Sequence, residues 1–497
     1  MERLAPPQDK TVHLEDQAGG AEGAAGSYPL VVDLDHTLLL VDTLYELFAL
    51  ALFQSPITAL RTLVALLKGK AAFKTALCSV ASLDVETLPV RQDVAEFLAA
   101  EHERGRPIHL ATAAERAIAD KVVERFPIFQ SVQCTEDGHN LKGDAKARRL
   151  CERFPEGFSY LGDHQDDLHV WRCAKTALVV SRSKGLEEQV RSEGIEVERV
   201  FRDQSGQASA WLRAFRPHQW AKNLVVLVPV ALGWYGADAA LASQAFIAML
   251  LLCLIASLTY CLNDIADLSA DRRHWSKRNR PFASGALPVK GGLILVCVGI
   301  PVLLMLGLLI SAKVAICLAA YVAITVSYSL GLKRIPLLDT FIIAILFTIR
   351  ILLGIAAAAL APSAWLITFS MFFFFSLAVA KRHTELLRAG ERMSGLIEGR
   401  GYHVEDRDVT LVFGIVASMA SVLIVVIYLV EEVFARAMYS EPQWLWIAPA
   451  TIFLFTARVW LLSHRGLMTD DPVAFALKDR VSIGLGLLVG LGLLLAI

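Results

Sequence analysis

From about residue 221 to Ile497 the chain is a succession of apolar blocks, several long enough for a bilayer core, which takes roughly 20 helical residues. The blocks predict an all-α polytopic membrane domain over residues 223–497, with about nine transmembrane helices. The expected spans are 221–236, 243–262, 291–310, 313–331, 336–356, 364–380, 409–430, 443–462 and 481–497, the first being short for a crossing. Charge bias orients them. With the N-terminal half placed inside, the connections 263–290, 331–335, 381–408 and 463–480, together with the 208–222 approach, hold 20 Lys and Arg. The opposite side holds Lys313 and Arg436. The loops and the N-terminal half are therefore expected on the cytoplasmic side of a bacterial inner membrane, with the C-terminus outside.

Ahead of the first span, "ASAWLRAFRPHQWAKN" (208–223) is amphipathic, with Trp211 and Trp220 suited to the interface. Residues 203–222 read as a linker and interfacial helix. Residues 1–27 are polar and rich in Gly, Ala and Pro, which predicts a disordered lead-in without a secretory signal. The eight cysteines show no paired spacing for zinc or a disulfide framework, and a net charge of −1 leaves no nucleic-acid footprint.

Residues 28–202 alternate short apolar strands with helical stretches, as a doubly wound α/β domain does. Strands are expected at "YPLVVDLD", "RPIHLATAA" (106–114), "FSYLGD" (158–163), "TALVVS" (176–181) and "IEVERVF" (195–201). A mainly helical insert from about 44 to 100 would cap the sheet. Sites in such sheets lie beyond the carboxyl ends of the strands. Those ends present Asp33, Asp35 and Thr37, then Thr112, then Asp163 and Asp167. Hard carboxylate oxygens of this kind can converge on one Mg²⁺ and a phosphate, with Lys146 or Lys142 neutralising charge. One Asp-rich strand end alone is often only a turn or a helix cap. His36 points away if the strand register holds, and Asp166 reads as a neighbour or as merely solvated.

The ordered set Asp-x-Asp-x-Thr, Thr, Lys and Gly-Asp-x-x-x-Asp resembles the haloacid-dehalogenase-like phosphohydrolases. The resemblance implies a Rossmann-like α/β phosphohydrolase domain with a helical cap. In it Asp33 would be the nucleophile and Asp35 the general acid and base. Thr112 and Lys146 would hold the phosphoryl oxygens. Mg²⁺ would sit among Asp33, the Asp35 carbonyl, Asp163 and Asp167.

In the membrane half, Asn263, Asp264, Asp267 and Asp271 recur at helical spacing on one face as the chain leaves a span. Carboxylates so near hydrocarbon are expensive unless a cation is bound. Lys277 and Arg280 follow, where a diphosphate would need counter-charge. A second edge carries Tyr328, Lys333, Arg334 and Asp339, and a third carries Lys381 and Arg382. Each cationic pair is also what an ordinary positive-inside flank contains. Arg350, within an apolar span, reads equally as a pocket cation or as a partner for a buried carboxylate.

These motifs resemble the UbiA-type intramembrane prenyltransferases, and most closely their decaprenyl-phosphate phosphoribosyltransferase branch. "RPHQWAKN" (216–223), "NDIADLSADRRHWSKRNRP" (263–281), "YSLGLK" with Asp339, "KRHTEL" (381–386) and "DDPVAFALKDR" (470–480) carry the likeness. Trp275 stands where many relatives have Pro. The resemblance implies Mg²⁺ on Asp264, Asp267 and Asp271, supported by Asn263. It implies phosphate contacts from Lys222, Lys277, Arg280, Tyr328, Lys333, Arg334, Lys381 and Arg382, with Asp339 orienting ribose or metal.

The expected activity is transfer of 5-phosphoribosyl from phosphoribosyl diphosphate to a polyprenyl phosphate, for cell-envelope glycan synthesis. The fused phosphatase would then remove the 5-phosphate. Prenyl transfer from a polyprenyl diphosphate to a small acceptor is the alternative enzyme. A transporter or scaffold with a sensory soluble domain is the alternative of another class. A homo-oligomer is left open.

Overall fold

The computed structural model describes residues 28–136, 138–181, 184–202, 206–232, 239–391, 401–435, 439–468, 475–476 and 478–497. The disordered lead-in expected over 1–27 and part of the 470–480 motif lie outside the described residues. The chain divides into two compact units. Unit one is residues 1–43, 62–79 and 90–204; unit two is residues 44–61, 80–89 and 205–497.

Unit one is built on a parallel sheet of six strands: β1 (Leu30–Val32), β2 (Ile108–Glu115), β3 (Phe129–Thr135), β4 (Ser159–Gly162), β5 (Thr176–Ser181) and β6 (Glu196–Arg202). Their order across the sheet is β3-β2-β1-β4-β5-β6. Leu30, Val31 and Val32 are wholly buried, the composition expected of a central parallel strand covered on both faces. The order reverses between β1 and β4, so the loops after these two strands diverge from one crevice. They are tied there by the Asp33 N–H, which donates to the Leu161 carbonyl at 2.9 Å. The sequence reading omitted β3. Its "FQSVQCT" is half polar because it forms a sheet edge, which weakens the apolar signal.

The insert after β1 is helical as expected, over Thr43–Gln54, Pro56–Thr62, Leu63–Lys68 and Lys70–Cys78. It is not one cap. Residues 62–79 belong to unit one, whereas 44–61 and 80–89 belong to unit two. Ala49 is buried in the same apolar cluster as Val226, Leu252 and Ile265. Helix Gln92–Glu103 leads into β2 and serves as a crossover.

Unit two has seven described helices long and apolar enough to cross a membrane: Ala239–Ala266, Val289–Ile310, Ala312–Leu330, Leu338–Ala357, Ala364–Arg388, Val404–Phe434 and Pro442–His464. Among the described residues the other two expected spans fall short, and 233–236 of the first lie outside them. Residues 217–232 form the 3₁₀ segment Pro217–Leu227 and the short helix Val228–Leu232. The last helix, Arg480–Ala496, has 17 residues, which gives it a length of about 26 Å, less than the hydrocarbon core. Trp220 is half-buried against a neighbouring helix. Its Nε1 donates to Ser257 Oγ at 3.0 Å, and Ser257 donates to the Phe215 carbonyl at 2.8 Å, which fastens the approach helix Gln207–Phe215 to helix Ala239–Ala266.

Helices Ala239–Ala266 and Leu338–Ala357 each have 67% of their apolar window buried, against 22% and 17% for the two helices between them. They form the centre of the bundle, and they carry the first acidic edge and Asp339. A Cβ on Gly354 would lie 1.9 Å from the Val226 carbonyl oxygen, so this helix admits the 3₁₀ segment only because glycine is there. Gly354→Ala is expected to destabilise unit two by about 1–3 kcal/mol. Gly484→Ala, whose Cβ would meet nothing within 4 Å, should be silent. Thermal unfolding of the detergent-solubilised variants measures both, and equal melting temperatures would contradict the packing.

Candidate active sites

Three strand ends and one helix meet in unit one. Asp33 Oδ1 accepts the Leu34 N–H at 2.8 Å and pairs with Lys146 Nζ at 3.0 Å. Lys146, on helix Asp144–Arg153, is 3% exposed and donates to Tyr160 Oη at 2.9 Å. Tyr160 passes the contact on, donating to Asp167 Oδ1 at 2.9 Å. The other oxygen of Asp167 accepts the Asp163 and His164 N–H groups at 3.1 and 3.0 Å, and Thr37 donates to Asp163 Oδ1 at 3.1 Å. Carboxylate oxygens of Asp33, Asp163 and Asp167 all lie within 4.8 Å of one another. A Cβ on Gly162 would sit 2.6 Å from Asp167 Oδ2, so glycine there lets the strand end close on the carboxylate.

Three carboxylates share one lysine. Burial raises Asp33 and, well above its ordinary value, Asp163; Lys146 opposes the shift at Asp33. That surplus of hard, partly buried oxygens is a donor set for a divalent cation. Asp35 stands apart from this cluster. Its carboxylate accepts the Thr43 N–H at 2.8 Å and the Thr43 hydroxyl at 3.3 Å, and burial pushes it up to about 7. Thr112 is fully buried, with Oγ1 accepting the Ala114 N–H at 3.0 Å. Lys142 pairs with Asp166 at 2.9 Å in an exposed contact, so the two lysines take separate partners. His36 occupies the tight turn after β1 with φ at 59°.

Two residues of unit one escaped the sequence reading. Tyr160 is one, because an aromatic in a strand signals only core. Lys74 is the other: it is buried and donates to the Ala113 carbonyl and to Asn140 Oδ1. Burial lowers its pKa, while Asp35 and Asp42 pull the other way.

In unit two, helix Ala239–Ala266 ends between Asp264 and Asp267, and helix Leu268–Arg273 follows. The four-residue rhythm survives the break, since the Asp267 N–H donates to the Asn263 carbonyl and the Asp271 N–H to the Asp267 carbonyl. Asp264 Oδ1 pairs with Arg216 at 2.5 Å and with Arg280 at 3.1 Å. Arg280 also reaches Asp271 Oδ2 at 2.7 Å. Asp267 receives Asn263 Nδ2 at 3.1 Å and Lys333 Nζ at 3.2 Å. Three aspartates thus face three cations. Burial pushes the Asp271 carboxyl up and Arg280 holds against it. Asp264 is 1% exposed, and its Oδ2 is buried without a hydrogen-bond partner among the described residues, an orphaned oxygen that fits a cation ligand. Arg216 belongs to the RPHQWAKN stretch and stands ahead of Pro217 with φ at 50°.

The second and third edges lock each other. Asp339 is wholly buried, pairing with Arg382 at 2.9 Å and accepting the Tyr402 hydroxyl at 2.6 Å. Tyr402 in turn accepts the Leu337 N–H at 2.7 Å. Arg382, 1% exposed, also bonds Glu385. These charges are spent on one another. Lys277 and Arg334 are exposed, while Lys222, Tyr328 and Lys381 are partly buried. Arg350 is not the partner of a buried carboxylate among the described residues. Asn223 Oδ1 at 2.9 Å, the Leu346 carbonyl at 2.6 Å and the faces of Tyr321 and Phe347 hold it, with no carboxylate among the described residues in reach.

The UbiA prenyltransferase family matches residues 224–478, just over half of the chain. An uncharacterised Sinorhizobium fredii protein, y4nM, is 38% identical over 94% of this chain and 91% of its own. Nodulation protein NoeC of Azorhizobium caulinodans is 33% identical over 56% of this chain and 92% of its own. Decaprenyl-phosphate phosphoribosyltransferase of Mycolicibacterium smegmatis is 31% identical over 55% of this chain and 87% of its own. With its apolar helices and its acidic edge, the chain is an integral membrane enzyme of the UbiA prenyltransferase family.

Proposed function

We propose that unit two transfers 5-phosphoribosyl from phosphoribosyl diphosphate to a polyprenyl phosphate. The observation that carries this reading is the orphaned Asp264 Oδ2, buried amid three aspartates and three cations. The name of the Mycolicibacterium relative supports the choice of donor and acceptor. Mg²⁺ held by Asp264, Asp267 and Asp271 would supply charge neutralisation for the departing diphosphate. Arg216, Arg280 and Lys333 are the cations that turn from carboxylates to phosphate oxygens, with Lys222, Lys277, Tyr328, Arg334 and Lys381 around them. The bond from the anomeric carbon to the diphosphate breaks, and a lipid phosphate oxygen forms the new one. The Asp339–Arg382–Tyr402 cluster holds the wall rather than the substrate. The site faces the cytoplasm of a bacterial inner membrane.

For unit one we propose a haloacid-dehalogenase-like phosphatase that removes the 5-phosphate of the lipid-linked product. Asp33 attacks phosphorus while Lys146 neutralises the phosphoryl oxygens, and Thr112 completes their binding. Mg²⁺ on Asp33, Asp163 and Asp167, with the Asp35 carbonyl, would lower charge repulsion. A carboxyl titrating near 7 suits Asp35 to give a proton to the leaving oxygen and take one from water. Fusion on one chain and a shared side of the membrane favour consecutive use of the two units.

Labelled phosphoribosyl diphosphate and polyprenyl phosphate, supplied to the purified protein, should give a lipid-linked ribose. Asp264→Ala should lower the rate by about a hundredfold or more. Product formed only from a prenyl diphosphate and a small acceptor would reject the reading. Asp33→Asn should accumulate the 5-phosphorylated lipid, and the same product from both proteins would reject consecutive hydrolysis.

The metal proposed for unit one makes a pH prediction. Asp33 and Asp163 have folded-state values above the unfolded ones. Without metal, their stabilisation is therefore greatest at low pH and is lost as pH rises through the raised values. Mg²⁺ competes with protons for the same oxygens, so it should raise the melting temperature more at about pH 8 than at about pH 6. Asp163→Ala should abolish that difference, and an equal Mg²⁺ effect at both values would count against the site.

A further inference from the structure

Glu46 lies far outside the stretch that matches the UbiA family, which begins at Leu224. It nevertheless belongs to unit two, on helix Thr43–Gln54. Its carboxylate makes a two-pronged contact with Arg272, at 2.7 Å from Nη2 and 3.0 Å from Nη1. The side chains are 2% and 5% exposed, so this pair is withdrawn from water. Bidentate geometry makes it among the stronger kinds of ion pair, and removing one partner strands a buried charge.

Arg272 is the residue after Asp271. Its remaining nitrogen, Nε, donates to the Ala283 carbonyl at 3.0 Å. Ala283 lies three residues beyond Arg280, whose guanidinium joins Asp264 and Asp271. Arg272 therefore spans both arms of the loop that presents Asp271 and Arg280, and Glu46 fixes the guanidinium that does so. Two further contacts link the same N-terminal segments to the helices on either side of this loop. Arg273 pairs with Asp84 at 2.6 Å, and Lys290 sits over the Tyr45 ring at 5.2 Å. Asp84 and Tyr45 come from the same two N-terminal segments of unit two. The Arg273–Asp84 pair is exposed and adds little, which leaves Glu46 as the principal hold.

We infer that Glu46 is a positioning residue of the transferase site: through Arg272 it sets the Asp271–Arg280 loop that receives the diphosphate. The inference rests on the assignment of a diphosphate to that acidic edge. It means that segment 44–61 of the N-terminal half is a working part of the transferase. Transfer would then depend on a segment that lies outside the family's matched stretch.

The test is calorimetric binding of inorganic diphosphate with Mg²⁺ to the full-length protein in detergent, taking the component that Asp264→Ala removes. Glu46→Gln should weaken this component about tenfold in protein that is still folded at the assay temperature, through loss of one partner of a buried charged contact that also lowers the melting temperature. In an Arg272→Gln background Glu46→Gln should change nothing further, because the effect travels through Arg272. Unchanged affinity in Glu46→Gln, or an equal loss in both backgrounds, overturns the inference. Should Glu46→Gln not fold, Arg272→Lys keeps the charge and loses the two-pronged contact, and unchanged affinity there overturns it equally. A wild type without Asp264-dependent binding overturns it too. A wild type that binds diphosphate in this way but makes no lipid-linked ribose rejects the phosphoribosyl reading alone.

Discussion

Everything in the transferase unit depends on giving partners to the buried Asp264 carboxylate at the end of a long apolar helix. A carboxylate 1% exposed cannot rely on water, so Arg216 and Arg280 meet one of its oxygens. The other oxygen has no hydrogen-bond partner among the described residues. Arg280 is shared with Asp271, and Lys333 comes from the second edge to meet Asp267. The fold thus holds its acidic edge with the same positive groups that a diphosphate would recruit. On the proposed reading, such an array becomes a binding site when a divalent cation takes over the carboxylates.

Unit one uses the same ingredients in other proportions. Asp33, Asp163 and Asp167 converge on one another with Lys146 beside Asp33, and burial drives Asp33 and Asp163 upward. Its carboxylates outnumber the lysine paired with Asp33, whereas the membrane edge meets its own with Arg216, Arg280 and Lys333. Tyr160 keeps Lys146 and Asp167 in one network by donating to the carboxylate and accepting from the lysine. Both sites are held by side chains that never appear in an acidic motif.

What the sequence could disclose follows from this. Asp33, Lys146, Asp163 and Asp167 were legible because strand ends in an alternating sheet converge, and the ordered motif limited which ends mattered. Asp264, Asp267 and Asp271 were legible from helical spacing beside hydrocarbon, and the rhythm outlasts the break at Asp267. Asp339 and Arg382 were visible as charges but not as a pair, because residues 43 apart reveal no mutual burial. Tyr402 and Glu46 were hidden for a like reason: each acts across a long loop on a residue whose own role is clear. The bilayer spans were legible in the bundle's middle and not at its edges, where Pro217 and Pro229 and a 17-residue helix break the pattern.

The most direct measurement is the structure of the protein with Mg²⁺ and phosphoribosyl diphosphate bound. The metal should lie on Asp264 Oδ2, with Arg280 moved from its place between Asp264 and Asp271 onto a phosphate oxygen. A diphosphate bound elsewhere, with Arg280 still bridging the two aspartates, would contradict the account.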